Sequence, residues 1–174
     1  MILEHRDYYV KNLAEAVVMP AALAALTRLA QSPYRIVIAT NQALVGRGII
    51  PLADVESINQ WMINEIRQAG GRIDAAYICP HHPEAQCVCR KPKPGMLLTA
   101  ASEHHLDLPR SFMIGDAITD LLAGHAAGAR SLLVRTGRGA AQAELLARHG
   151  LGHVPIYDDL TEAVQAILDN TLPK

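Results

Sequence analysis

The stretch SFMIGDAITDLLAGHAAGARSLLV, residues 111–134, decides the fold. Residues 111–114 have the length and apolar character of a buried strand, and the strand stops at a Gly followed by Asp116. A helical pattern of apolar residues then leads to Gly128, a typical helix end. Residues 131–134 form a second apolar strand. A strand, a helix and a strand in this order indicate two parallel strands joined by a helix that covers the sheet.

The same alternation extends in both directions along the chain. Further strands are predicted at 36–39, 75–78 and 154–157, with helices starting at Pro20, Pro51 and Pro94 and another over 160–168. The sequence therefore predicts one doubly wound, Rossmann-like α/β domain over residues 1–174, with a parallel sheet and helices on both faces. Ligands of such folds bind beyond the carboxyl ends of the strands. Thr40, Asn41, the loop after Ile78 and Asp116 should meet there.

Composition excludes several classes of protein. The chain has 174 residues, a formal net charge of −1 and 50% hydrophobic residues, so a full core is expected and a disordered or nucleic-acid-binding protein is not. No apolar run reaches the roughly 18 residues of a membrane span. The polar residues after Leu3 do not fit a signal peptide, which predicts a cytoplasmic protein. With only 4% aromatic residues, no interface patch is evident and a monomer is expected.

A metal site is predicted in the segment CPHHPEAQCVC, residues 79–89, which contains every cysteine of the chain. Cys79 and His81 form one pair of ligands, and Cys87 and Cys89 form another, which is a complete set for tetrahedral, structural Zn²⁺. Residues at i and i+2 of an extended chain point the same way, so each pair can bind one face of the ion. The alternative is three reduced thiols beside a solvated histidine. His82 is expected to be solvated.

Two cations come directly after the last cysteine. Arg90 and Lys91 would be fixed by the metal at the crevice, where a guanidinium and an ammonium suit a phosphate group. The alternative is an exposed basic pair without a partner.

Four segments, in this order, closely resemble the haloacid dehalogenase (HAD) phosphatases of the heptose 1,7-bisphosphate phosphatase type. They are IVIATNQ (36–42), CPHHPEAQCVCRKPKPGML (79–97), MIGDAITD (113–120) and LVRTGRG (133–139). The zinc loop is shared with that branch and with the related histidinol-phosphate phosphatases. The resemblance implies a HAD fold and a Mg²⁺-dependent phosphatase that acts on a sugar phosphate, a small molecule.

The resemblance also assigns roles to five residues. Thr40 would bind the transferring phosphoryl group, and Asn41 would orient the substrate. Lys91 would neutralise the phosphoryl oxygens, Arg90 would contact the sugar phosphate, and Asp116 would hold Mg²⁺. These roles fit the chemistry, because phosphoryl transfer depends on positioning and charge neutralisation, and Mg²⁺ prefers carboxylate oxygens. Without the family context, Asp116 would be interpreted as a helix N-cap.

The chain departs from the family pattern at several positions. Ala43 and Leu44 stand where serine and glycine are usual, and Ala117 replaces a frequent lysine. These changes put the substrate preference and part of the charge stabilisation in question. Asp120 is expected either to support the magnesium site or to be an exposed helix residue.

The largest departure concerns the nucleophile. Family members begin with an apolar strand ending in D-x-D-G, whose first Asp becomes phosphorylated and whose second is general acid and base. This chain contains no D-x-D, and neither Glu4 nor Asp7 stands in such a context. As written, it is expected to be inactive and to bind Mg²⁺ more weakly. Residues 6–20 resemble the family's segment downstream of the motif, so one hypothesis is that about ten upstream residues, an ordinary strand length, are absent from this sequence.

The alternative hypothesis is a non-catalytic, zinc-stabilised module that binds a phosphate ligand. A nucleotide-cofactor enzyme is disfavoured, because the Gly-x-Gly segments at 46–48 and 137–139 lack the dinucleotide fingerprint. Between the two related substrates, the LVRTGRG segment and the single-domain length favour the 7-phosphate of D-glycero-D-manno-heptose 1,7-bisphosphate over histidinol phosphate. The resemblance implies lipopolysaccharide biosynthesis, with S-layer sugar synthesis as the open alternative.

Overall fold

The computed structural model describes residues 2–6 and 10–173. Asp7, Tyr8 and Tyr9, which belong to the segment resembling the downstream side of the family's D-x-D motif, lie outside the described residues. The strands of the described part are β1 (Val37–Asn41), β2 (Ala75–Cys79), β3 (Phe112–Gly115), β4 (Arg130–Val134) and β5 (Ile156–Tyr157). The helices are α1 (Pro20–Ala30), α2 (Ala43–Gly46), α3 (Leu52–Gln68), α4 (Gly95–His104), α5 (Ile118–Ala127), α6 (Gly139–Ala143) and α7 (Leu160–Leu168).

The strands pair in parallel, as predicted, but they form two separate sheets. β1 pairs with β2, with Val37 opposite Ala75, and β3, β4 and β5 form the other sheet in that order. Within the described residues no backbone ladder joins β1 to β3. Ile38 of β1 and Ile114 of β3 nevertheless pack against the same apolar cluster. The two sheets therefore share one core, with a break in the backbone pairing between β1 and β3.

The main core lies between one side of the sheets and helices α1, α3 and α7. Ala25 and Leu26 of α1, Ile66 of α3 and Val164 of α7 are buried in one cluster. Their spacing puts the apolar residues of each helix on one face, which is why the 3.6-residue periodicity identified these helices from the sequence. Burial of these faces supplies the main driving force for folding.

The first residues of the described chain pack against this core. Leu3 and Val18 form an antiparallel bridge, in which Glu4 N–H donates to the Val17 carbonyl and Met19 N–H donates to the Ile2 carbonyl, each at 2.9 Å. Ile2 and Leu3 pack against the main cluster. The segment before α1 is therefore held against the core by both backbone and side-chain contacts.

Asp74 joins the start of β1 to the loop before β2, and its ionisation should make stability depend on pH. Burial raises the pKa of its carboxyl group, but the Ile36 N–H, which donates to it at 2.7 Å, and the guanidinium groups of Arg35 and Arg72 outweigh burial and hold the pKa below 3.8. Because the folded-state pKa is depressed, this stabilisation is present above about pH 4 and is lost as the pH falls through the folded-state value.

We expect Asp74→Asn to lower the free energy of unfolding at pH 7 by about 1–2 kcal/mol, because charged hydrogen bonds are replaced by weaker ones. The variant should also lose part of the acid-induced decline below pH 4. Urea denaturation at pH 7 and at pH 3 measures both effects. An equal difference between wild type and variant at the two pH values would contradict the assignment.

In the described part of the chain, no helix is both long enough and apolar enough to cross a membrane.

Candidate active site

The four predicted zinc ligands lie together in the loop after β2. Cys79 Sγ lies 3.6 Å from Cys87 Sγ, and Cys87 Sγ lies 3.5 Å from Cys89 Sγ. His81 Nδ1 lies 3.2 Å from Cys89 Sγ and 3.7 Å from Cys79 Sγ. Zn–S bonds of about 2.3 Å at tetrahedral angles put ligand sulfurs about 3.8 Å apart. The four atoms, all within 4.8 Å of one another, therefore fit one zinc ion.

The thiols are arranged for a metal rather than for a disulfide. All three cysteines are free, and their sulfurs are much farther apart than the roughly 2.05 Å of an S–S bond. Burial raises the pKa of the Cys89 thiol to about 12, and hydrogen bonds to Cys79 and Cys87 add to it. Burial acts the same way on Cys87, but hydrogen bonds from the Arg90 backbone and from Cys89 outweigh it and lower that pKa. Zn²⁺ binds all three sulfurs as thiolates.

Two glycines let neighbouring helices approach the zinc loop closely. A Cβ on Gly46, at the end of α2, would lie 2.0 Å from the backbone nitrogen of His82, and a Cβ on Gly95 would lie 2.3 Å from the Val88 carbonyl oxygen. Both distances are far inside van der Waals contact. The loop is therefore fixed against α2 on one side and the start of α4 on the other.

We expect Cys87→Ser to reduce bound zinc from one ion per chain to well below one. It should lower the unfolding midpoint by about 5 °C, because a loss of roughly 2 kcal/mol shifts a chain of this size by that amount. Metal analysis and thermal unfolding measure the two quantities. His82→Ala is the matched control, because His82 is in the same loop but outside the ligand cluster. A Cys87→Ser protein with unchanged zinc and midpoint would rule out the site.

Lys91 connects β1 to α5, the helix that packs on β3 and β4. Its ammonium donates to the Ala39 carbonyl of β1 at 2.7 Å and forms an ion pair with Asp120 Oδ1 of α5 at 2.7 Å. The side chains of Lys91 and Asp120 are only 10% and 8% exposed. The alternative of an exposed basic pair is wrong for Lys91, and the alternative of an exposed helix residue is wrong for Asp120.

Lys91 follows the zinc loop in the chain, and the Asn41 side chain fixes the backbone of Lys91. The Asn41 side-chain amide donates to the Lys91 carbonyl at 3.0 Å, and its oxygen accepts the Lys91 N–H at 3.1 Å. Both ends of this amide therefore contact the main chain of Lys91. In the structure Asn41 positions the lysine, a contact that sequence reasoning did not find; contact with substrate stays a prediction.

Asp116 lies at the carboxyl end of the β3 strand, in the loop before α5, and is buried. Its Oδ2 accepts the Arg138 backbone N–H at 3.0 Å, and the Arg138 Nε lies 3.8 Å from the same oxygen. Asp116 is not the N-cap of α5. The N-cap position is Ala117, whose N–H donates to Asp120 Oδ2 at 3.2 Å. The Asp120 carboxylate thus caps the start of α5 with one oxygen and pairs with the Lys91 ammonium through the other.

Asp116 meets the requirement of a magnesium ligand. Both contacts from Arg138 go to Oδ2, which leaves Oδ1 as a ligand atom within the described part of the chain. Mg²⁺ commonly takes one or two carboxylates, keeps several waters and binds phosphate oxygens as well. One available oxygen on the buried carboxylate of Asp116 fits such a site, which needs few protein ligands.

The remaining two predicted residues flank this centre. Thr40 is in β1, and its Oγ1 accepts a hydrogen bond from the Gln42 side chain at 3.3 Å. Arg90 directly precedes Lys91, and its Nη1 is buried without a hydrogen-bond partner among the described residues. A buried guanidinium nitrogen without an acceptor is costly, so it is suited to receive an anionic ligand.

Comparison with known proteins identifies the family. A family model described as HAD-hydrolase-like matches residues 88–163. The D-glycero-beta-D-manno-heptose-1,7-bisphosphate 7-phosphatase of Bordetella bronchiseptica is 35% identical over 97% of this chain and 93% of its own length. The chain belongs to this family of HAD phosphatases. The protein of that name from Pseudomonas aeruginosa is also 35% identical, over 93% of this chain and 89% of its own length.

Solved structures of this phosphatase family agree with the fold. The crystal structure of D,D-heptose 1,7-bisphosphate phosphatase from B. bronchiseptica, complexed with magnesium and phosphate, has a TM-score of 0.89 and 35% identity, covering 97% of this chain and 93% of that chain. The enzyme from Burkholderia thailandensis has a TM-score of 0.70 and 32% identity, covering 94% and 95%. The predicted HAD fold and the predicted membership in a family of phosphomonoesterases, which are hydrolases, are confirmed.

Proposed function

We propose that this chain forms the phosphate- and metal-binding part of a phosphomonoesterase that removes the 7-phosphate of D-glycero-D-manno-heptose 1,7-bisphosphate. The observation that carries the proposal is the position of Lys91, which follows the zinc loop in the chain. Asn41 of β1 holds its backbone, and the Lys91 ammonium contacts the Ala39 carbonyl of β1 and Asp120 of α5. The named activity of relatives at 35% identity and the magnesium and phosphate in the B. bronchiseptica structure support the substrate class.

The proposed roles are set by what each group can do. The Lys91 ammonium neutralises oxygens of the transferring phosphoryl group, and Thr40 donates a hydrogen bond to it. Asp116 holds Mg²⁺, which supplies charge neutralisation at the phosphoryl oxygens when bound. Zinc is structural, because the four protein ligands fill its tetrahedral coordination. It orders the loop that carries Arg90 and Lys91. Cytoplasmic location and a monomer remain part of the proposal.

The proposal includes an aspartate that this sequence does not contain. Every Asp of the chain lies outside a D-x-D context, and neither Asp116 nor Asp120 is a free nucleophile, because Asp116 contacts Arg138 and Asp120 is paired with Lys91. We propose that the nucleophile belongs to a strand that fits between β1 and β3. The chain without it binds ligand and does not turn it over.

The test is binding of phosphate and magnesium by the chain as it stands. A ligand that binds only the folded state raises the unfolding midpoint. We expect millimolar inorganic phosphate with Mg²⁺ to raise the midpoint of the wild type, and we expect Lys91→Met to abolish the shift. Arg135→Gln removes an equal charge from an exposed ion pair with Asp158 and should keep it. Absence of any shift in the wild type, for phosphate and for the heptose bisphosphate, would refute both the proposed function and the non-catalytic binding module.

A further inference from the structure

We propose that Gln142 of α6 is a positioning residue that holds Asp116 in place for Mg²⁺. This inference rests on the proposed role of Asp116, and it adds a residue that acts through Asp116 rather than on the substrate. Gln142 contacts the turn between β3 and α5, which carries Asp116. It is half-buried, and its Oε1 accepts the Ile118 N–H at 3.1 Å.

Helix α5 begins at a residue that cannot cap it. The N-cap position is Ala117, whose methyl group has no oxygen to accept a hydrogen bond. The first N–H groups of a helix have no partner within the helix and need acceptors from elsewhere. Asp120 accepts the Ala117 N–H at 3.2 Å, and Gln142, which is 24 positions farther along the chain than Ile118, accepts the Ile118 N–H. Gln142 therefore supplies an acceptor that the N-cap side chain lacks.

The turn that carries Asp116 is held by contacts from two segments. It packs on Asp120 of α5 so closely that a Cβ on Gly115 would lie 2.3 Å from the Cβ of Asp120. The segment after β4 supplies two hydrogen bonds: the Arg138 N–H donates to Asp116 Oδ2 at 3.0 Å, and Gln142 accepts the first N–H of α5. One bond fixes an oxygen of the carboxylate, and the other fixes the backbone two residues later. Together they limit how far Asp116 can turn.

The short helix that presents Gln142 is itself anchored. A Cβ on Gly139, its first residue, would lie 1.7 Å from the Val134 carbonyl oxygen at the end of β4. Ala143, its last residue, packs against the apolar cluster that contains Ile118. Helix α6 therefore rests on the end of β4 and on the first turn of α5, so that the Gln142 acceptor comes from a fixed position.

The experiment measures Mg²⁺ binding by the full chain at a fixed, millimolar concentration of inorganic phosphate. The dissociation constant follows from the rise of the unfolding midpoint with Mg²⁺ concentration, taken relative to each variant without Mg²⁺. We expect Gln142→Met, which has a similar volume but no acceptor, to weaken Mg²⁺ binding about tenfold, because loss of a hydrogen bond that orients a metal ligand commonly costs about 10–100-fold. Gln142→Glu keeps an acceptor at the helix start and should stay within about threefold of the wild type.

A matched control separates positioning from loss of stability. Asp159 caps α7, where its Oδ1 accepts the Thr161 N–H at 2.7 Å and the Glu162 N–H at 3.1 Å. Asp159→Ala removes a helix-start acceptor of the same kind, and we expect it and Gln142→Met each to lower the unfolding midpoint by about 3 °C. Only Gln142→Met should change the dissociation constant of Mg²⁺, because Asp159 holds the start of α7 and not the turn that carries Asp116.

The outcomes keep this inference apart from the proposed function. Equal weakening of Mg²⁺ binding in Gln142→Met and Asp159→Ala would mean a general loss of stability, and unchanged binding in Gln142→Met would mean that Asp116 keeps its position without the hydrogen bond. Either result overturns the inference while the proposed function stands. Weak binding in Gln142→Glu would also overturn it, because the acceptor would not be the cause. If the wild type bound no Mg²⁺ with phosphate present, the proposed function and the inference that rests on it would both fail.

Discussion

Fusing an apolar strand that ends in Asp-x-Asp-Gly ahead of Met1 should raise phosphate release from heptose 1,7-bisphosphate by at least about a thousandfold. Loss of a covalent nucleophile removes most of the rate enhancement of an enzyme that depends on one, so its restoration has an effect of that order or larger. The added strand would lie between β1 and β3. Each of these strands pairs with a neighbour on one edge, and the other edge has no strand partner among the described residues. Phosphate release with Mg²⁺ present measures the gain.

A fusion with Asn-x-Asn in place of the two aspartates is the control, because it supplies the same strand without the carboxylates. Both fusions should raise the unfolding midpoint, since a central strand gives hydrogen-bond partners to two exposed strand edges. Only the aspartate version should be active. The aspartate fusion could also bind Mg²⁺ and gain stability yet release no phosphate. The added strand would then fill the gap between β1 and β3 without creating an active site, and the phosphatase proposal would be wrong for this chain.

The long elements could be predicted from the sequence because their signals are local. α1, α3 and α7 were identified by helical spacing of apolar residues, and the strands by apolar runs ending at turn residues. The zinc cluster was predicted because its four ligands lie within eleven residues. Short helices α2 and α6 were missed, since four or five residues carry no periodicity.

The features of the site that could not be predicted from the sequence are contacts between segments that are far apart in the chain. Asn41 holds Lys91 across fifty positions, and the Arg138 N–H reaches Asp116 across twenty-two. No spacing rule predicts such pairs. The spacing of four residues between Asp116 and Asp120 suggested a shared helix face, but Asp116 lies in the loop before α5, and only the fold shows that the partner of Asp120 is Lys91.

The buried ion pair between Lys91 and Asp120 should dominate the response of stability to mutation. We expect Asp120→Asn to lower the free energy of unfolding by about 3 kcal/mol, because the ammonium stays buried with no counter-charge. Urea denaturation at pH 7 measures the loss. Asp158→Asn breaks the ion pair with Arg135, in which Asp158 is 79% exposed, and should cost less than about 1 kcal/mol.

The double variant Lys91→Met/Asp120→Asn decides whether the loss comes from the unpaired charge. Methionine has nearly the volume of lysine and no charge, so the double variant buries no ion and should recover at least about half of the stability lost in Asp120→Asn. It should still bind no phosphate, because the ammonium is gone. Additive losses would instead mean that the two side chains contribute independently, and that Asp120 acts through its hydrogen bond from the Ala117 N–H. Recovery of stability without recovery of phosphate binding would show that the ion pair is retained for the ligand rather than for the fold.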